Sequence, residues 1–453
     1  MVGKKKVRLI NLDQHELAKK WLCSPASPVL GRLFLTQAPQ VSCRWITKYM
    51  RKFLRIFWVL LTVVVTGRQA QAQLDNRAFA SQTPGKEGWE ILPMTEDSEG
   101  MAAYVTPQRN EIRLQIQSFT FFKDNEYFNK IADGYTLFGT QLNPQLVYYP
   151  IKELRLEAGL FLWKDFGNPQ LQQVRPTYRA TWTTGNHKFI LGNIRPHLSH
   201  GYIEPLFNFE RVMVRPLEEG LQYRYIGRRL DMDMWVDWQR QQYRYSNYQE
   251  EIAGGLSSHL WLSGDGHSTW QLSLPFQFTA THHGGQIDTL DKPLQTVFNE
   301  AAGLVIRRRF GSRIHAVRLN AYALGFQDHS FTQAYPFKSG HAIYLNGTLE
   351  TKYGGAMLSY WQGRRFISPL GGDLYQSASR TVSNPDYTEA NRRLLFLRLL
   401  RDFRISDAAA LTVRVEPVYD LNARMLDFSF GVYLNFRQEW LLGNVGQRVR
   451  VGQ

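Results

Sequence analysis

The sequence predicts a transmembrane antiparallel up-and-down β-barrel of about sixteen strands, and three observations predict it. From Asn110 to Arg437 the chain is a succession of segments in which apolar and polar residues alternate. A basic, then apolar, then small-residue stretch stands in front of them. The connections between segments alternate between short turns and long loops.

The alternation is clearest at Trp270, Leu272, Leu274, Phe276, Phe278 and Ala280, with Gln271, Ser273, Gln277, Thr279 and Thr281 between them. Successive side chains of a strand point to opposite faces, so this segment has one oily side and one wet side. Comparable segments fall near 110–121, 140–150, 153–164, 171–184, 187–194, 218–226, 230–241, 250–263, 268–281, 298–309, 312–326, 339–351, 355–363, 391–403, 408–420 and 424–437. Modest shifts of boundary would give 14 or 18. Turns such as Gly185-Asn186 and Phe310-Gly311 carry the residues tight hairpins need. Longer loops fall between them, including 122–139, 195–217 and 364–390. A soluble all-β protein has no reason to sort its connections this way, whereas an outer-membrane barrel does.

The segment before the barrel is a secretory signal: Met50 to Arg55 is basic, Ile56 to Val65 is apolar, and Ala70-Gln71-Ala72 offers cleavage after Ala72. Its apolar run is too short to span a bilayer as a helix. Residues 1–49 then read as an N-terminal extension from a mis-assigned start, with translation beginning at Met50. Residues 73–109 form a periplasmic lead-in, 110–437 the barrel, and 438–453 a periplasmic tail.

Charge excludes one class of partner. The net charge of +15 is concentrated before residue 73, and the remainder holds 41 Lys/Arg against 37 Asp/Glu. Nucleic-acid binding loses its support once the extension and signal are set aside. Both cysteines, Cys23 and Cys43, also lie there, so the mature part has no disulfide or thiolate metal site.

Outward faces carry Leu154, Leu156, Ala158, Leu160 and Leu162 on one strand and Leu426, Phe428, Phe430, Val432, Leu434 and Phe436 on the last. Tyr148, Tyr149, Trp163, Trp182, Tyr225, Trp238, Trp261 and Trp361 lie near strand ends, as headgroup girdles do. With the terminal strand Leu426 to Phe436, these features resemble the porin-type outer-membrane barrels of Gram-negative, Bacteroidetes-like bacteria. The resemblance implies an outer-membrane location, with outer-membrane lipid, lipopolysaccharide and the barrel-assembly machinery as partners. Gln438 to Gln453 depart from that pattern, since porins end on the aromatic of the last strand.

Parity places Arg113, Arg155, Arg175, Arg179, Arg224, Asp231, Asp233, Asp237, Arg318, Arg414 and Glu416 on wet faces as pore-lining residues. Arg175 and Arg179 lie four apart, roughly 13 Å along one face, and could form a cationic rail. The alternative is that acids and bases pair across a closed lumen. The loop 195–217 is too apolar for a tip in water. It resembles the inward third loop of porins, and as a constriction loop it carries Arg195, His197, His200, Glu204, Glu210 and Arg211; otherwise it caps the rim as a short helix.

Catalytic patterns are weak. His197 and His200, His282 and His283, and Asp231 and Asp233 have explanations as rim or solvated residues. No Ser and His stand together near the lipid face. The sequence therefore predicts a non-enzymatic channel, free of metal and cofactor, for passive diffusion of small hydrophilic solutes. A scaffold or surface-attachment barrel, related to capsule or secretion, is the competing class, and a lipid-modifying enzyme the third. Nothing in the sequence marks a subunit interface.

Overall fold

The computed structural model describes residues 109–445, apart from 195–198, 264–267, 286, 288, 312 and 407. The expected extension, signal peptide and almost all of the lead-in lie outside the described residues, as does the end of the tail from 446 on.

Sixteen strands form one closed ring in sequence order. They are β1 (Glu111–Glu126), β2 (Tyr135–Ile151), β3 (Leu154–Asp165), β4 (Gln173–Thr184), β5 (His187–Asn193), β6 (Glu219–Ile226), β7 (Leu230–Arg240) and β8 (Glu250–Ser263). The ring continues with β9 (Trp270–Gly284), β10 (Gln295–Arg309), β11 (Ile314–Asp328), β12 (Ser339–Thr351), β13 (Gly354–Arg364), β14 (Asn391–Arg404), β15 (Ala409–Asp420) and β16 (Met425–Asn444). Every neighbour is antiparallel, and β1 closes on β16 from Glu111 opposite Asn444 to Glu126 opposite Phe428.

Burial follows the alternation. On β9 the residues at Gln271, Ser273, Gln277 and Thr279 are buried, while Trp270, Leu274 and Phe276 are exposed. Polar residues face the lumen and apolar ones face outward, the inverse of a soluble core and the arrangement lipid requires.

The sequence reading needs three corrections. β1 and β2 run longer than expected and leave only 127–134 as their loop, because Lys123 and Asn125 continue the inward parity of Phe121. Residues 438–444, expected as tail, extend β16 against β1. Of the expected girdle aromatics, Trp182 and Trp238 do face outward, but Tyr149, Trp163 and Trp361 are buried inside. Trp361 alternates with the outward Leu358 and Tyr360, so its parity sends it into the lumen, where it packs edge-on to Phe366 and Tyr375.

A sixteen-strand ring is wide enough to leave an aqueous channel if nothing enters it. Here two loops from the long-loop end fold in. The β5–β6 connection brings Tyr202, Ile203, Leu206 and Phe207 into a buried cluster with inward Trp235, Tyr322, Tyr344 and Trp361. It also carries a one-turn helix, α1 (Arg211–Val214), whose Met213 is buried. The β13–β14 connection adds Phe366, Ile367, Leu370, Leu374 and Tyr375 to the same cluster.

Candidate functional site

The first loop enters the lumen on a sharp turn at His200, whose φ of 55° lies in the left-handed region, followed by Gly201 at 73°. Histidine tolerates that region better than most residues, and a side chain held there needs surroundings that fix it. Those surroundings are two carboxylates and a ring. Nε2 lies 2.8 Å from Glu218 and Nδ1 3.3 Å from Asp233. The imidazole stacks on Trp235 with centroids 4.4 Å apart. Burial opposes its charge, but Asp233 and Glu218 outweigh it and push the imidazolium up to about 9. Burial likewise works against the Glu218 carboxylate, and His200 overcomes it, holding Glu218 below its usual range.

Beyond His200 the loop is sewn to the wall. The Ile203 N–H donates to Gln277 Oε1 at 3.0 Å, and the Tyr202 hydroxyl donates to the Phe278 carbonyl at 2.8 Å. Gly255 makes room for that hydroxyl, since a Cβ there would stand 2.3 Å from it.

The two loops are also joined to each other. The Asn208 N–H donates to the Leu370 carbonyl at 2.7 Å and the Gly372 N–H to the Glu204 carbonyl at 3.0 Å. Gly371 permits the approach, because a Cβ on it would lie 2.1 Å from the Pro205 carbonyl. The Tyr375 hydroxyl donates to Glu204 at 2.8 Å.

Between the loops lies a narrow crevice of about 20 Å³, room for about one water molecule. Asp133, Glu204, Glu210 and Asp373 bring four carboxylates to it, with Tyr127 and Tyr135 from the first loop region of the barrel. Two of the carboxylates are committed. Glu204 is paired with Arg398 from β14. Glu210 meets Lys123 at 2.6 Å, accepts from Asn125 at 3.1 Å and accepts from the Tyr135 hydroxyl. Burial works against the Glu210 charge, but Lys123 outweighs it and holds the carboxyl below its usual range. Asp373 differs: burial raises it, opposed by Arg380 at 3.8 Å.

The residues expected to line the lumen fall inside as follows. Arg113 binds Glu111 at 2.5 Å and Glu439 at 3.1 Å, Arg155 binds Glu439 at 2.9 Å and Glu157 at 3.1 Å, and Arg179 binds Glu157 at 3.1 Å. Arg175 is half-exposed and paired with Glu219. Arg414 and Arg398 share Glu416, each at 2.5 Å. Asp231 accepts from Trp261 at 2.9 Å, Asp237 accepts from the Glu219 N–H at 2.8 Å, and Arg224 and Arg318 are buried. Of the loop residues, Glu204 and Glu210 line the crevice, His200 lies against the wall at Asp233 and Trp235, and Arg211 lies over the Phe207 ring at 4.9 Å. Arg195 and His197 lie outside the described residues. His282 and His283 stand apart, at the end of β9.

Sequence reasoning missed the second inward loop and Lys123, Arg392 and Arg398. Parity alone would have placed those three inside, and the apolar run Phe366-Ile367 was the mark of the loop.

A family model described as lipid A 3'-O-deacylase-type matches residues 104–445. No curated protein matches the chain. Among solved structures, OmpT of Vibrio cholerae is 11% identical, with 74% of this chain and 100% of that one covered at a TM-score of 0.43. OprD of Pseudomonas aeruginosa is 9% identical, with 74% and 96% covered at 0.45. OccAB4 of Acinetobacter baumannii is 9% identical, with 74% and 99% covered at 0.42. These are likenesses of outline. The chain itself has the construction of an outer-membrane β-barrel, with sixteen strands closed in sequence order. The expectation of a non-enzymatic protein is overturned, because the matching family is of an enzyme type. That match spans all sixteen strands and both inward loops, and the chain belongs to the lipid A 3'-O-deacylase-type family.

Proposed function

We propose that the protein hydrolyses an acyl ester of lipid A at the long-loop end of the barrel, with the crevice between the inward loops as its site. The family match carries this reading. The polar groups that converge on the crevice support it, one of them a carboxylate shifted by burial, as acid–base chemistry requires, and the crevice as it stands admits a water and not an acyl chain. Asp373 is the carboxylate to take a proton, since burial raises it and its ion pair to Arg380 is a loose 3.8 Å. Water attacks the ester carbonyl and loses a proton to Asp373. The new C–O bond forms as the acyl C–O bond to the sugar breaks, and the proton passes to the departing alkoxide. Glu204 and Glu210, held by Arg398 and Lys123, keep the two loops in place around the reacting group.

The test is fatty-acid release from lipid A in mixed micelles by the purified full chain, followed by mass spectrometry. Asp373→Asn is expected to lower the rate by about a hundredfold or more, the usual worth of a general base. Absence of release by the unaltered protein overturns the reading.

A second reading, passive diffusion of small hydrophilic solutes, is favoured by the polar inner faces of the strands. It needs a water path past Tyr202, Phe207, Trp361 and Tyr375. Signal cleavage after Ala72 and export to the outer membrane belong to both readings.

A further inference from the structure

At one sector of the long-loop rim the outward face carries a group of basic residues. On β12, β13 and β14, His341, Arg364 and Arg393 are exposed there. The register makes them one group. His341 lies directly opposite Arg364, and Arg364 lies opposite Asn391, two residues from Arg393 on the same face. Directly opposite residues are about 5 Å apart and such diagonal ones about 7–8 Å. Exposed Arg365 and Arg424, from the two adjoining connections, flank the group.

Outward arginines elsewhere on the wall have local partners. At the short-turn end Arg308 lies 5.0 Å from the Trp270 ring centroid and Arg401 5.0 Å from that of Phe403. At the long-loop end Arg240 covers the Tyr248 ring at 3.7 Å. Among the described residues, Arg364 has neither ring nor acid beside it, and Arg393 donates only to Asn422 Oδ1, at 2.9 Å. The acids nearest them in the fold, Glu389 and Asp420, are both held by the buried Arg392, at 2.6 and 3.0 Å. The outward Glu300 carboxylate leans over Gly325, the residue directly opposite His341, and so stands on the His341 side of the group, away from Arg393. Two guanidinium groups side by side on the outward rim are complementary to a phosphate bridging them.

We propose that His341, Arg364 and Arg393 bind a phosphate of a glycolipid headgroup at the long-loop rim. The β13–β14 connection that follows Arg364 on the outer face also carries Asp373 to the crevice inside the ring. The identity of the lipid rests on the hydrolase reading, whereas the preference for phosphate does not.

The experiment uses native mass spectrometry of the detergent-solubilised full chain with diphosphoryl lipid A, its dephosphorylated form or inorganic phosphate. The unaltered protein should retain diphosphoryl lipid A. The double variant Arg364→Gln with Arg393→Gln should lose retention by at least about tenfold, the equivalent of one charge-assisted hydrogen bond. Dephosphorylated lipid should be retained weakly and equally by both. Equal retention of diphosphoryl lipid A by the two proteins overturns the proposal, as does capture of inorganic phosphate with no preference for the lipid. Both side chains lie on the surface, and heat-modifiable gel mobility confirms that the variant barrel has closed. Phosphate-dependent retention without any acyl release leaves this site standing and removes the hydrolase reading. Acyl release with an unchanged KM in the double variant, alongside equal retention, does the reverse.

Discussion

His200 shows how one residue can hold a loop against the entropy of releasing it. Its ring is fully buried, its two nitrogens face two carboxylates, and its backbone occupies a region few residues accept. Removing one member of a buried ionic group leaves the others uncompensated, at a cost of about 3–5 kcal/mol. His200→Ala is therefore expected to lower the thermal midpoint of the loops, read by protease protection of 199–217. Unchanged protection would show that the apolar contacts suffice. The pH dependence has a definite sign. The folded value, about 9, lies above the ordinary 6.5, so the contribution is complete below about pH 6.5 and is lost as pH rises through about 9. Protection of the loop amides, taken relative to the base-catalysed rate of the free chain, should fall over that interval and stay constant between pH 5 and 6.

At the scale of elements, the two inward connections behave as one body joined at Gly371. A side chain at that position collides with the Pro205 carbonyl. Gly371→Val should part the loops, break the Asn208–Leu370 hydrogen bond and expose both connections to protease while far-ultraviolet circular dichroism of the strands stays constant. Loops that remain protected in the variant would refute the joint. How much of this was legible in the sequence follows from what fixes each part. Strands were legible because lipid outside and polar groups inside impose strict alternation, and even Lys123 and Asn125 obeyed it beyond the assigned boundary. The apolar character of 195–217 announced an inward loop. Its partner, 364–390, was less legible because its apolar residues are spread among Ser, Gly and Asp, and only contact with the first loop gives them a place. The crevice was not legible at all: Asp133, Glu204, Glu210 and Asp373 come from three separate connections, and nothing local links them.

The described residues form a ring, and two of its own connections pack into the long-loop end of the lumen. Inward charges of both signs satisfy one another instead of lining a free passage, as Arg113, Arg155, Arg179, Glu111, Glu157 and Glu439 do. In planar bilayers the full chain is expected to conduct far less than an unobstructed sixteen-strand pore, and replacing 366–389 by a short Gly-Ser turn should raise the conductance several-fold. Large, steady conductance from the unaltered protein would contradict the packed arrangement of Tyr202, Phe207, Trp361 and Tyr375.

The seam between β1 and β16 has a consequence for how copies of the protein can meet. Because the last strand is bonded to the first along sixteen residues of β1, no strand of the ring is left as an edge. Another chain cannot join by adding a strand, which is the commonest route by which sheets grow into aggregates. Association between copies has to be made by side chains on the oily wall or by the exposed loops. Such contacts are set by individual residues and can be removed one substitution at a time without opening the ring.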